Sequence, residues 1–215
     1  MLSEDQIKFL TALTVSVPLS FVLQKLPAGK VRHIYSTLLG TLLQIFVYGY
    51  SIWMIFLLHS VIYLLILVTS KKCGKLVTLF SLGCLSFYHV YRMIIDYGGW
   101  AIDLSTVMMT ITCKYSLFGY AVEDGRNKDK TLTDEQNSNK LEKTPSFLFY
   151  LSYCQFLPTA IMGTAFEYKH FEKYMNREGP YDNIPSPWRH VIFDMAYALL
   201  FAGTFILHLV FFSLK

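Results

Sequence analysis

Polar residues set inside apolar sequence are the places where this chain has chemistry to offer. Arg92 and Asp96 stand one helical turn apart and His89 lies three residues before Arg92, so helical spacing puts a cation, an anion and an imidazole on one face. Such a cluster is either a structural ion pair or a contact for a charged substrate. Lys114 falls in the middle of the apolar run Leu104 to Val122, where a charge at bilayer depth costs roughly 2.5–3.5 kcal/mol. It calls for snorkelling, for a carboxylate partner such as Asp96 or Asp103, or for a phosphate contact. Tyr153 adds a hydroxyl to another apolar stretch. Because polar groups are expensive to keep in a membrane without a partner or a purpose, the substrate-binding candidates are Arg92, Asp96, Lys114 and Tyr153.

The usual catalytic strings are missing. The sequence has no GxSxG elbow, P-loop, HExxH or GxGxxG, so hydrolase, nucleotide and zinc-protease chemistry find no foothold. A His followed by four residues and Asp is absent as well: His190 and Asp194 are one residue too close, His89 and Asp96 two residues too far apart. Of the remaining histidines, His59 and His208 stand alone in apolar sequence and read as hydrogen-bonded packing residues, while His33 and His190, beside Arg32 and Arg189, read as lipid headgroup contacts. Cys73, Cys84, Cys113 and Cys154 form no CxxC pair, which leaves metal binding and a disulfide framework unsupported. The net charge of +4 is spread between apolar runs. No clustered basic face suits nucleic acid.

The elements that must carry these residues follow from composition. Of 215 residues, 53% are hydrophobic and 16% charged, against about 25% charged in soluble chains. A spanning helix needs about 20 largely apolar residues. Ile7 to Leu23, Ile34 to Tyr50, Ile52 to Val68, Leu76 to Ile95, Phe147 to Met162 and Val191 to Leu214 come near that length, with Leu104 to Val122 ambiguous. Phe147 to Met162 contains Pro158 and reads equally as a crossing or as a kinked, re-entrant helix. The expected fold is all-α: a polytopic transmembrane helical bundle of six or seven hydrophobic segments, forming one membrane-embedded unit over 1–215. Lys25, Lys30 and Arg32, and then Lys71, Lys72 and Lys75, fall on the same side if both intervening helices cross, and the positive-inside rule puts that side in the cytosol. Residues 123–145 read as a flexible hydrophilic loop, since Glu123 to Lys143 holds five basic and six acidic residues.

The two ends carry different expectations. The chain opens with Glu4 and Asp5 and offers no Ala-x-Ala, so a cleaved signal peptide is not expected. Its last segment runs apolar to Leu214 with only Lys215 beyond, as a truncated polypeptide would, although natural chains also end just past a helix.

Two strings add what composition cannot. YHVYRMIIDYGGWAIDLSTVMMTITCKYSLFGYAVEDG, Tyr88 to Gly125, and PSFLFYLSYCQFLPTAIMGTAFEYKHFEKYM, Pro145 to Met175, resemble the membrane-bound O-acyltransferase family and its lysophospholipid acyltransferase branch; VRHIYSTLLG at Val31 is a weaker match. The family's Gly-Pro appears here as Gly163, Thr164, which removes the φ that proline fixes. The resemblance implies a partial acyltransferase core in the membrane of the endoplasmic reticulum. It implies transfer of an acyl chain from acyl-CoA, a co-substrate rather than a cofactor, to a lysophospholipid hydroxyl. Membrane lipids would be the other partners, with no metal and no nucleic acid. The family's late catalytic His in a Trp-His-Gly context and its Asn in a Trp-Asn-x-x-Thr stretch are both absent, so no residue inherits a catalytic role and the chain corresponds to about the N-terminal half. A non-catalytic scaffold, short isoform or small transporter is the alternative. A transporter would more often show internal repeats, and none is present.

Overall fold

The computed structural model describes residues 3–69, 71–99, 102–127, 131–184 and 188–211, and every regular element among them is helical. The chain divides into two compact units, one ending at Glu178 and the other beginning at Gly179, where the sequence suggests a single unit. Arg189 and His190, read from sequence as headgroup contacts, have side chains outside the described set, as are Lys128, Lys130 and the terminal Lys215.

The first unit begins with α1, Glu4–Lys25, whose Ser3 cap accepts from the Gln6 amide while the Gln6 side chain returns to Ser3. This capping box satisfies two of the helix's orphan donors. Two helices, α2 (Lys30–Tyr48) and α3 (Ile52–Val68), are joined by a single 3-10 turn at Gly49–Ser51. The next helix, α4, is Cys73–Ile95. By length and composition, Glu4–Lys25, the run Lys30–Val68 and Cys73–Ile95 are long and apolar enough to cross a membrane.

α5, Leu104–Arg126, is the axis of the core. Asp103 caps its start by accepting from the Ser105 amide at 3.0 Å. Leu104, Val107, Ile111, Tyr115, Phe118 and Val122 are buried at the three- and four-residue spacing that puts them on one stripe. The ambiguous segment is therefore a helix buried against its neighbours, packed most extensively on α4.

The stretch after α5 departs from the expected flexible loop. Glu123 to Arg126 complete the last turn of α5, and α6, Asp134–Asn139, forms behind a second capping box between Thr133 and Gln136. The Leu141 amide then donates to the Ala121 carbonyl at 2.8 Å and its side chain is buried. One buried leucine pins the segment to the bundle, which charge counting does not detect.

Phe147 to Met162 does not form one crossing helix. α7 covers only Phe147–Cys154, about 12 Å at 1.5 Å per residue, followed by a bend at Gln155 and a 3-10 turn at Leu157–Thr159 whose second residue is Pro158. The kinked alternative is the one realised. α7 lies between α2 and α3, and Gly40 of α2 permits the approach, because a Cβ there would collide with the Gln155 carbonyl. α8, Tyr168–Asn176, closes the unit, ending at Arg177 in the left-handed conformation with φ 56°. The second unit carries α9, Trp188–Phe211, which accounts for the last apolar segment, including His208.

Candidate functional site

Lys114 and Tyr153 are brought together. Lys114 is fully buried, and its ammonium donates to the Tyr153 and Cys154 carbonyls at 3.2 Å each and to Thr159 Oγ1 at 2.9 Å. No carboxylate is among those partners, which corrects the expected pairing with Asp96 or Asp103. Tyr153 and Cys154 end α7, where carbonyls lack intrahelical donors and the helix dipole is negative; a lysine there meets both needs. The ammonium also lies 5.7 Å from the Tyr153 ring centroid and 5.4 Å from that of Phe166, and the Tyr153 hydroxyl donates to the Phe166 carbonyl at 2.6 Å.

The same device recurs at three other helix ends. Arg32 Nη1 donates to the Tyr174 carbonyl at 2.7 Å and the Met175 carbonyl at 3.3 Å in the last turn of α8, with its guanidinium 4.6 Å from the Tyr174 ring centroid. Arg126 donates to the Ile66 and Thr69 carbonyls closing α3, at 2.8 and 2.6 Å. Arg177 donates to the Gln24 and Leu26 carbonyls closing α1, at 2.6 and 3.1 Å. The complementary arrangement appears at the start of α4, where Glu123 Oε2 accepts from the Gly74 amide at 2.9 Å. These four cations and one carboxylate thus sit on helix termini of opposite dipole sign.

Arg92 and Asp96 form the expected pair at 3.2 Å, and the guanidinium adds Asp103, Nε to Oδ2, at 2.5 Å. Since Asp103 also caps α5, Arg92 ties the end of α4 to the start of α5. The chain between them turns at Gly98, where φ is 76°, a value glycine adopts without a Cβ clash. His89 makes no part of this pair. No hydrogen bond or ion pair among the described residues joins the Arg92 cluster to Lys114 and Tyr153, so the four candidates fall into two separate groups.

His33 is a buried residue, not a headgroup contact: Nδ1 lies 3.0 Å from Ser152 Oγ, and the ring packs on Phe149 and Phe171 at 4.5 and 5.5 Å. Arg32, held through Nη1 at the end of α8, is buried with it. His59 keeps the packing role read for it and gains partners the sequence does not reveal. Its Nδ1 is 2.7 Å from Tyr115 Oη and its Nε2 3.0 Å from Gln155 Nε2, all three residues being buried. Such a chain of groups moves protons only if it reaches a reacting atom. Here it is enclosed by protein and serves to join α3, α5 and the bend after α7.

Glu167, just before α8, is a carboxylate outside the spanning helices whose titration is displaced upward. Burial pushes its carboxyl above the usual carboxylate range, Glu135 and Asp124 push the same way, and His170 opposes them. Among the described residues no group of three or more His, Cys, Asp or Glu is placed to hold a metal ion.

An all-helical protein with three membrane-length apolar helices, cationic helix ends and a buried aromatic core is a helical membrane protein. No protein-family model matches the sequence. The chain is 35% identical over 136 residues to "Membrane-bound glycerophospholipid O-acyltransferase 2" of Gallus gallus, covering 59% of this chain and 25% of that protein. It is 27% identical over 191 residues to "Lysophospholipid acyltransferase 1" of Arabidopsis thaliana, covering 85% of this chain and 41% of that protein. With "Lysophospholipid acyltransferase" of Schizosaccharomyces pombe it shares 26% over 175 residues, 80% of this chain and 34% of that protein. The chain is therefore similar to membrane-bound acyltransferases named for glycerophospholipids and lysophospholipids, the family that the two strings resemble. It spans between a quarter and two fifths of the length of these relatives. The strings that carry the resemblance also face each other in space, because Lys114 belongs to the first and Tyr153, Cys154 and Thr159 to the second.

Proposed function

We propose that this chain forms the substrate-holding part of an acyl-CoA:lysophospholipid O-acyltransferase that crosses the endoplasmic reticulum membrane several times, with Lys25, Lys30, Lys71 and Lys72 on the cytosolic side. The similarity to acyltransferases over 59–85% of the chain carries this reading. The reaction joins the lysophospholipid hydroxyl oxygen to the acyl carbonyl carbon and breaks its bond to sulfur; the hydroxyl proton leaves through a general base, and CoA departs as thiol. That base is the histidine of the family's late helix, whose string this sequence lacks. The chain by itself is therefore inactive, and its contribution is to bind and orient substrates without a metal.

The four candidate residues divide by exposure. Lys114 and Tyr153 are sealed in the core and hold helix ends together, whereas the side chains of Arg92 and Asp96 keep 25% and 42% of their surface exposed. Arg92 and Asp96 are the pair able to meet a substrate. The non-catalytic scaffold is the second reading, favoured by the absent His and Asn strings.

An antibody raised against residues 131–143 tests the proposal on source membranes by immunoblot and capture. A band well above the mass of 215 residues, with acyl transfer to lysophospholipid in the captured fraction, is the expected result. A sole band at the mass of this chain, with no transfer, would replace the enzyme with the scaffold.

A further inference from the structure

The turn between α3 and α4 gathers three exposed lysines, Lys71, Lys72 and Lys75, and residues 69–75 include no acid. Among the described residues none of their ammonium groups makes an ion pair or a hydrogen bond. Lysines elsewhere are matched within their own helix: Lys8 is held by Glu4 at 2.6 Å and Lys169 by Glu172 at 3.1 Å. Glu123 reaches the turn from α5, but its Oε2 accepts from the Gly74 amide at 2.9 Å, so the start of α4 already has its anion. The backbone beneath the lysines is fixed. Arg126 holds the Ile66 and Thr69 carbonyls, and Asn127 Nδ2 donates to the Lys71 carbonyl at 3.0 Å. A cluster set in place this way loses little freedom when it meets a partner.

What lies next to the lysines selects that partner. Val68 precedes Lys71 by three residues, while Leu76 and Leu79 follow Lys72 and Lys75 by four, one helical turn deeper on the same face. All three apolar side chains are exposed, and α4 continues from them as a helix of membrane length. A rim of ammonium groups standing on a carbon surface complements phosphate above acyl chain. An acidic protein would match the rim alone, and the leucines below it would have no counterpart.

We infer that the turn between α3 and α4 docks an anionic phospholipid of the surrounding bilayer, its phosphate and headgroup on Lys71, Lys72 and Lys75 and its acyl chains along Val68, Leu76 and Leu79. This lipid is a bound neighbour and not a substrate, so the inference does not rest on the acyltransferase reading. Only the leaflet follows from the proposed cytosolic side of these lysines. Each lysine near an anionic surface contributes about 1 kcal/mol, or roughly fivefold in local lipid enrichment.

The test places the native polypeptide in phosphatidylcholine nanodiscs with a small fraction of phosphatidylserine carrying a diazirine near its glycerol, or of the matching phosphatidylcholine probe, and maps the labelled peptides. Both leaflets of a nanodisc carry the probe, so the result is independent of orientation in the cell. The phosphatidylserine probe should label the segment from Leu67 to Phe80 at least fivefold more than the phosphatidylcholine probe, and 1 M salt, which shortens the screening length to about 3 Å, should remove most of the difference. The triple variant Lys71→Gln, Lys72→Gln, Lys75→Gln should label equally with both probes. Replacing the same three lysines by Arg should keep the preference, as should Lys8→Gln, which lies on α1. Equal labelling of the parent by the two probes would overturn the site, and an acidic peptide bound by the parent but not by the Gln variant would then make a protein the partner. A preference that survives both 1 M salt and the Gln substitutions would also overturn it, because the lysines would not be its source. Should the Gln variant fail to fold, the salt series on the parent and the Arg variant still decide.

Discussion

The ammonium of Lys114 lies 3.2 Å from the Tyr153 carbonyl and 5.7 Å from the centroid of the Tyr153 ring, so one side chain of α5 both stops α7 and seats its last aromatic. Thirty-nine residues separate the two in sequence. Replacing Lys114 by Met keeps most of the volume and strands the Tyr153 and Cys154 carbonyls in a buried site. That should cost about 1–3 kcal/mol, or roughly 2–4 °C of apparent Tm for each kcal/mol in a chain of this size. Thermal unfolding followed by size-exclusion chromatography in detergent checks it; an unchanged Tm would show that the carbonyls find other donors.

Arg126 performs the same task for α3, and it also donates to Thr144 Oγ1 at 2.9 Å. Arg126→Ala should loosen the turn between α3 and α4 more than the whole bundle. The expected readout is faster tryptic cleavage after Lys71 and Lys72, with a global loss of about 0.5–1.5 kcal/mol.

Two glycines in apolar helices should answer the same substitution with opposite signs. Gly40 faces the Gln155 carbonyl and the Ala160 Cβ, while Gly83 faces open space. Gly40→Ala should destabilise by about 1–3 kcal/mol through overpacking, despite its better helix propensity. Gly83→Ala should stabilise by roughly 0.5–1 kcal/mol. Parallel melting curves of the two variants decide the matter.

Burial holds the Glu167 carboxyl above its ordinary range, with Glu135 and Asp124 adding to the effect. Folding then favours the protonated form. The associated stability is present in full below the unfolded carboxylate value and is lost as pH rises through the raised one. Glu167→Gln should therefore raise Tm at pH 7 relative to the parent and flatten its dependence across the weakly acidic range. A parent that gains stability as pH rises through that range, with the variant no better at pH 7, would contradict this.

Apolar runs were the legible part of the sequence. Ile52 to Val68 is a helix with those same ends, and Leu104 begins α5 as the run does. What escaped detection depends on partners distant in sequence. His59 meets Tyr115 across 56 residues and Gln155 across 96, and Arg32 reaches Tyr174 across 142. A basic pair such as Arg32 and His33 at the start of an apolar run is the pattern of an interface contact, and only the end of α8 arriving there makes it internal. Arg92 with Asp96 could be read because its partner lies one turn away; Asp103 could not, because it needs the turn at Gly98. The short α7 shows the opposite limit: its residues are apolar enough for a longer helix, but the bend at Gln155 and the following Pro158 end it.

The central claim, that these helices are the substrate-holding part of a lysophospholipid acyltransferase, is tested most directly by acyl transfer. Labelled acyl-CoA and lysophospholipid are incubated with membranes carrying either the native polypeptide from the source or the 215-residue chain alone. The account predicts labelled two-chain phospholipid from the native polypeptide and none above background from the chain alone. Product from the chain alone would place the catalytic base within these residues, and product from neither would contradict the acyltransferase reading.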